Sequence, residues 1–191
     1  MKKPFYGLDF GTSNSVISIA DGSKATILPV DTYAPLSEVL QSLLYFQKDS
    51  SEFIGQTAVD TYLQDNAIRR PVQWQEIDTG EEKQVEIAGD NGIVYYTTTI
   101  KVRVDINKPG QLLQALKTTL REGSLETAYV FDKKYSLEAL IARLLSQMKR
   151  EADKVVGEDV KRVVLGRPVH YIEAGQDDVH VEGRMRKAAQ L

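Results

Sequence analysis

Short apolar runs separated by polar turns fill the first third of the chain. Phe5–Asp9 is an apolar run ending in a carboxylate, a Gly/Thr/Ser/Asn cluster occupies Gly11–Ser15, and Val16–Ala20 is apolar again and rich in β-branched residues. Asp21–Gly22 is a hairpin signal ahead of Lys24–Val30. The pattern predicts a strand, a tight polar turn, a second strand, a hairpin turn and a third strand. Leu43–Phe46 and Glu52–Ile54 predict two further short strands around the polar turn Lys48–Ser51. The period then changes. Ala58, Val59, Tyr62 and Leu63 recur at helical spacing and predict an amphipathic helix from about Gln56 to Asn66.

Residues Pro71 to Pro109 differ in character. They hold the only tryptophan, Trp74, two turn signals (Asp78-Thr79-Gly80 and Gly89-Asp90-Asn91-Gly92) and a β-rich stretch, Ile93–Ile106. This reads as an antiparallel hairpin insertion. Leu112, Leu113, Leu116 and Leu120 predict another helix, closed by Gly123, and Leu125–Phe131 predicts a strand. Ser136 opens the clearest helix, in which Leu137, Leu140, Ile141, Leu144, Leu145, Met148, Ala152 and Val155 keep a period near 3.6. Tyr135 and Leu140 are placed as a hydrophobic staple, and Gly157 can close the far end. Arg162–Leu165 predicts a buried strand leading into Gly166-Arg167-Pro168. A last helix begins around Val181 and meets no stop signal before Leu191, so the expectation is a lobe cut from a longer protein.

Composition narrows the class. The chain has 191 residues, of which 42% are apolar and 27% charged, the profile of a globular protein with room for one domain or two small subdomains sharing a core. Net charge is −3 with both signs interspersed, so no basic stripe suggests a nucleic-acid partner. No cysteine is present, which excludes disulfides, thiolate metal sites and a cysteine nucleophile. Pro4 and Asp9 interrupt any apolar leader segment, and no apolar run approaches the length of a bilayer span. The expectation is a cytoplasmic protein with no membrane partner.

The chemistry lies in GLDFGTSNS, Gly7 to Ser15. Gly11 permits a turn without Cβ crowding, so backbone N–H groups can approach an anion. Thr12, Ser13 and Asn14 add side-chain donors. Asp9, at the strand end, can hold hydrated magnesium, an ion that keeps several waters and takes few carboxylates. Neither a P-loop signature nor a dinucleotide fingerprint is present. An isolated Asp-x-Gly-Thr reads more readily as a plain hairpin turn, because these residue types favour turns anyway. The full Asp9–Ser15 string with strands on both sides shifts the balance to a phosphate site.

That string resembles the first phosphate-binding motif of the actin, sugar-kinase and heat-shock chaperone ATPase superfamily, and its Asn14–Ser15 ending resembles the seventy-kilodalton heat-shock branch. Leu43–Phe46, Phe53–Ala58, Lys134–Leu140 and Val163–Val169 resemble later motifs of that branch in order. Gly166-Arg167-Pro168 resembles its divergent bacterial members more than its principal chaperones. The resemblance spans most of the chain except Pro71–Pro109. It implies an α/β, ribonuclease-H-like lobe: a mixed five-stranded sheet with flanking helices over 1–37 and 122–191, and a smaller inserted subdomain over 38–121 that carries the hairpin insertion 71–109. It also implies ATP or ADP with Mg²⁺ as cofactors. Asp9 would face the metal through water, Gly11, Thr12, Ser13 and Asn14 the phosphates, and Lys117 the γ-phosphate and attacking water. Pro168 and Arg186 would relay nucleotide state between lobes.

Partners implied by the resemblance are a second ATPase lobe, a client-binding domain, and co-chaperones or nucleotide exchange factors in a stress response. This lobe alone is expected to bind ATP weakly and to be inactive. A sugar- or acetate-type kinase lobe and an actin-like assembly protein share the opening motif and remain alternatives. Ser13, where many relatives have threonine, and the 71–109 insertion depart from the family pattern. Other features have plainer readings. His170 and His180, with Glu173, Asp177 and Asp178, fit no compact ligand set and read as surface loop. Ile141, Leu145 and Met148 read as core, and Trp74, Tyr95 and Tyr96 as packing within the insertion.

Overall fold

The computed structural model describes residues 4–20, 24–89, 92–122, 127–166 and 178–191. In chain order its elements are β1 (Phe5–Phe10), β2 (Asn14–Ala20), β3 (Ala25–Ile27), β4 (Leu40–Gln41), β5 (Leu44–Gln47), β6 (Glu52–Ile54), α1 (Gln56–Asp65), β7 (Trp74–Gly89) and β8 (Gly92–Asp105). There follow β9 (Gly110–Leu113), α2 (Leu116–Glu122), β10 (Thr127–Val130), β11 (Lys133–Ser136), α3 (Leu137–Val156), β12 (Val163–Gly166) and α4 (Asp178–Gln190).

The fold is mixed α/β. Alternation along β1 buries Tyr6, Leu8 and Phe10 on one face. β2 runs antiparallel to β1, with Leu8 opposite Ile17 and Asp9 opposite Val16. β12 runs parallel on the other side, with Tyr6 opposite Val163 and Asp9 opposite Gly166. β3 and β4 both pair with β2, giving a mixed five-stranded sheet in the order β12-β1-β2-β3 with β4 beside the start of β2. The third strand stops at Ile27, short of the expected Val30. The N–H groups of Val30 and Asp31 turn instead to the carbonyl of Ser37. At two residues β4 is too short to leave a periodic signal.

A second sheet, β6-β5-β9, lies beside this one. Here one expectation is corrected. Leu112 and Leu113 belong to β9, opposite Tyr45 and Leu44 of β5, and not to the helix that follows. Ala115, at φ 55°, breaks the chain direction between strand and helix, so only Leu116 and Leu120 of the leucine series lie on α2, both buried. The expected closing residue, Gly123, lies outside the described residues, as does the Asp21–Gly22 turn. The strand expected over Leu125–Phe131 forms as β10, and β11, which was not expected, pairs with it as a hairpin.

The long helix forms where its periodicity places it. Ser136 accepts the Ala139 N–H at 3.1 Å as N-cap, and Gly157, at φ 81°, closes the far end in the left-handed region. Its apolar stripe packs under the five-stranded sheet in one core that also takes in Leu40, Leu44, Phe46, Leu116 and Leu120. Beneath β1, the buried Tyr6 hydroxyl donates to Asp153 at 2.8 Å. Burial and that carboxylate push the phenol well above its ordinary range. Val181, Met185 and Ala188 seat α4 on the same core. Among the described residues no helix is long and apolar enough to cross a membrane.

Candidate functional site

The turn between β1 and β2 is built around Gly11. A Cβ there would lie 2.0 Å from the Asn14 carbonyl oxygen, so no larger residue fits without moving the turn. Four hydrogen bonds hold the turn from beneath. The Gly11 N–H donates to Ser15 Oγ at 3.2 Å, and Ser15 Oγ lies 2.9 Å from Ser42 Oγ. Ser42 Oγ donates back to the Gly11 carbonyl at 3.1 Å. With the Ser42 proton committed to Gly11, the Ser15 hydroxyl donates to Ser42, and the ring closes on one residue. The Ser42 N–H also reaches the Ser13 carbonyl at 2.8 Å. Both serines are buried.

Above this ring Thr12, Ser13 and Asn14 are exposed. Asp9 is exposed as well, on the face of β1 opposite the buried Tyr6, Leu8 and Phe10. Its neighbour across the parallel ladder is Gly166, where a Cβ would stand 3.8 Å from Asp9 Oδ1. The absent side chain keeps the flank of the Asp9 carboxylate open. Neither Asp9 nor Thr12 is turned into the packed interior.

Lys117 joins the same place from far along the chain. It sits in the first turn of α2, half-buried beside the core residues Leu116 and Leu120. Its ammonium donates to the carbonyl of Phe10, 107 residues away in sequence. The fold therefore sets one cation, one carboxylate and a run of exposed hydroxyl and amide groups at a single turn. Together they can hold a polyanion: the turn supplies donors, Lys117 supplies positive charge, and Asp9 supplies an oxygen ligand. No group of three or more His, Cys, Asp or Glu side chains comes together among the described residues. A metal at Asp9 would take that carboxylate together with water and ligand oxygens, a donor set that suits Mg²⁺.

Arg186 belongs to α4. It is exposed, and its hydrogen-bond partner among the described residues is Glu182 of the same helix, at 3.1 Å. Two residues earlier, Arg184 is the buried arginine, its Nε 2.7 Å from Glu138 Oε1 with both side chains 8% exposed. Burial pushes the Glu138 carboxyl up, but the hydrogen bond and charge of Arg184 outweigh it and hold that carboxyl below the ordinary glutamate range. Pro168, His170, Glu173 and Asp177 lie outside the described residues, and His180 is exposed on α4.

Cavities of about 600, 530, 490 and 170 Å³ lie elsewhere, mostly along α3 and α4, and none of these four is lined by Asp9–Ser15. Ser42 and the Glu138–Arg184 pair escaped the sequence reading, and Ser15 entered it only as the end of the motif, with no role of its own. Ser42 carries no local signal, because only the pairing of β4 with β2 brings it under the turn. No protein-family model matches the chain.

Proposed function

We propose that this chain is the first lobe of an ATP-binding domain of the seventy-kilodalton heat-shock chaperone type, with a ribonuclease-H-like core. In this reading the Asp9–Asn14 turn takes the phosphate tail of Mg-ATP. The observation that carries the reading is the convergence of Lys117 with the Gly11 turn and the exposed Asp9, three features the chain keeps far apart or leaves ambiguous in sequence. Backbone and hydroxyl donors of Gly11, Thr12, Ser13 and Asn14 would orient the phosphates. Lys117 would exchange the Phe10 carbonyl for a phosphate oxygen and stabilise charge on the transferring phosphoryl group. Bound at Asp9, Mg²⁺ would offset phosphate charge. A second lobe would complete the adenosine side, and closure of the two would pass the nucleotide state to a client-binding domain.

The test is single-turnover hydrolysis of γ-labelled ATP by the protein with its second lobe present. Lys117→Ala should lower the hydrolysis rate by about a hundredfold or more, the scale of losing one charge-stabilising group, and leave ATP affinity within a few-fold. Unchanged hydrolysis in that variant removes Lys117 from the site. Phosphoryl transfer to a sugar by the same protein would replace the chaperone reading with the kinase one.

A further inference from the structure

The insertion is a two-stranded ribbon, and it is not packed as its aromatic residues suggested. Trp74, Tyr95 and Tyr96 are exposed, Tyr95 by 58%, and the Trp74 ring carries the Arg103 guanidinium 5.3 Å from its centroid. Register shifts between Asp78 and Glu82. Beside that irregularity Glu81 is tied to the β10–β11 hairpin, through the Tyr129 hydroxyl at 2.9 Å and the Lys134 ammonium. Beyond it, among the described residues, Glu82–Gly89 and Gly92–Thr99 pair only with each other. Every residue from Gly92 to Thr99 is exposed. One face of this distal half presents Val85, Ile87, Val94 and Tyr96, and the other presents Ile93 and Tyr95.

The two edges differ in charge. The distal part of β7 carries Glu82, Lys83 and Glu86, the kind of charge that protects an edge strand. Along β8, Ile93–Ile100 reads Ile-Val-Tyr-Tyr-Thr-Thr-Thr-Ile, with no charge, no proline and no glycine. That is the composition of a segment that adds strands. A lone ribbon is marginal in water, and open backbone groups along an uncharged edge invite a further strand.

We infer that the β8 edge is a self-association surface, and that two copies of this chain join β8 to β8 in an antiparallel, two-fold pairing centred on Tyr96. In that register Tyr95 faces Thr97, Val94 faces Thr98 and Ile93 faces Thr99 of the second copy, aromatic and β-branched pairs throughout. The absence of charge on β8 and its presence on β7 select this pairing. Joining β7 to β7 about Gln84 would set Glu82 against Glu86, like charges directly opposed. Joining β7 to β8 would be head-to-tail and leave edges open. The result is a four-stranded sheet with β8 strands inside and charged β7 strands outside. Strand pairing over eight residues covers on the order of several hundred Å², below the roughly 1,000 Å² of tight interfaces, so the dimer is a weak one.

Sedimentation velocity of the protein from about 5 to 500 μM, the range of weak dimers, tests this. The unaltered protein and a Gln84→Lys variant on the β7 edge should both sediment faster as concentration rises. Tyr96→Lys, which opposes two like charges at the two-fold axis, and Thr97→Pro, which bars strand addition at the centre, should each weaken association at least tenfold. All three residues concerned lie outside the hydrophobic core, so matched thermal melts confirm that the variants fold. A monomer at every concentration overturns the inference, as does association that survives both β8 variants or fails equally in Gln84→Lys. Association seen only with an added extended apolar peptide would assign the edge to a peptide and overturn the second copy.

Discussion

Replacing Ser42 by alanine tests the ring beneath the turn. The hydroxyl donates to the Gly11 carbonyl at 3.1 Å and accepts from Ser15 at 2.9 Å. Its removal leaves a proton and a carbonyl without their partners where Ser15 and Ser42 are only 1% and 2% exposed. A net hydrogen bond contributes about 1 kcal/mol, and each stranded buried group costs about 1–3 kcal/mol more. A water entering the space left by one oxygen recovers part of this, so the expected loss is about 2 kcal/mol. Urea unfolding should show that loss as a lower midpoint with an unchanged slope. The Gly11 amide, which donates to Ser15 Oγ at 3.2 Å, should exchange with solvent at least tenfold faster, beyond any change in the core strand amides of β1. Adding Ser15→Ala should cost much less than its single-variant value, since the same ring is already open. Thr12→Ala, at an exposed position of the same turn, should stay within about 0.5 kcal/mol. A Ser42→Ala loss below about 0.5 kcal/mol with unchanged Gly11 exchange would show that the ring does not hold the turn.

Glu138→Ala should destabilise by about 3–5 kcal/mol, because it leaves the Arg184 charge buried without its carboxylate, whereas a Glu138→Leu, Arg184→Met double variant should be near neutral. The carboxyl of Glu138 is held below its ordinary range in the fold, so its contribution is complete above the unfolded glutamate value near ~4.3 and is lost as pH falls through the folded value. Urea midpoints between neutral and acid pH should therefore fall less steeply in the double variant. Gly11→Ala must displace the Asn14 carbonyl, and should change amide shifts throughout Gly11–Ser15 while leaving α3 unaltered.

The elements with strong local signals were legible. The strands β1 and β2, their turn, the helix α1 and the capped α3 all follow from periodicity with turn or cap residues in place. What the sequence hid was decided by partners distant in the chain. Leu112 and Leu113 carry a helical spacing, yet Leu44 and Tyr45 draw them into a sheet, so tertiary pairing overrides local pattern. Trp74, Tyr95 and Tyr96 read as packing because large aromatic residues are usually covered, and the ribbon leaves them open. At the site, Asp9 and Gly11–Asn14 stood out through motif chemistry and Lys117 through resemblance. Ser42 and Arg184 did not, since a lone serine or arginine means nothing until the fold gives it a partner.

Manganese, a paramagnetic substitute for magnesium, offers the most direct test of the phosphate turn. With millimolar ATP present, trace Mn²⁺ should broaden the amide signals of Asp9 to Asn14 and of Gly166 ahead of all others. Asp9→Asn should remove that selectivity without shifting the core signals. Broadening confined to other surface carboxylates such as Glu158 and Asp159, or a pattern that persists in Asp9→Asn, would contradict the claim that this turn receives a metal-bound phosphate chain.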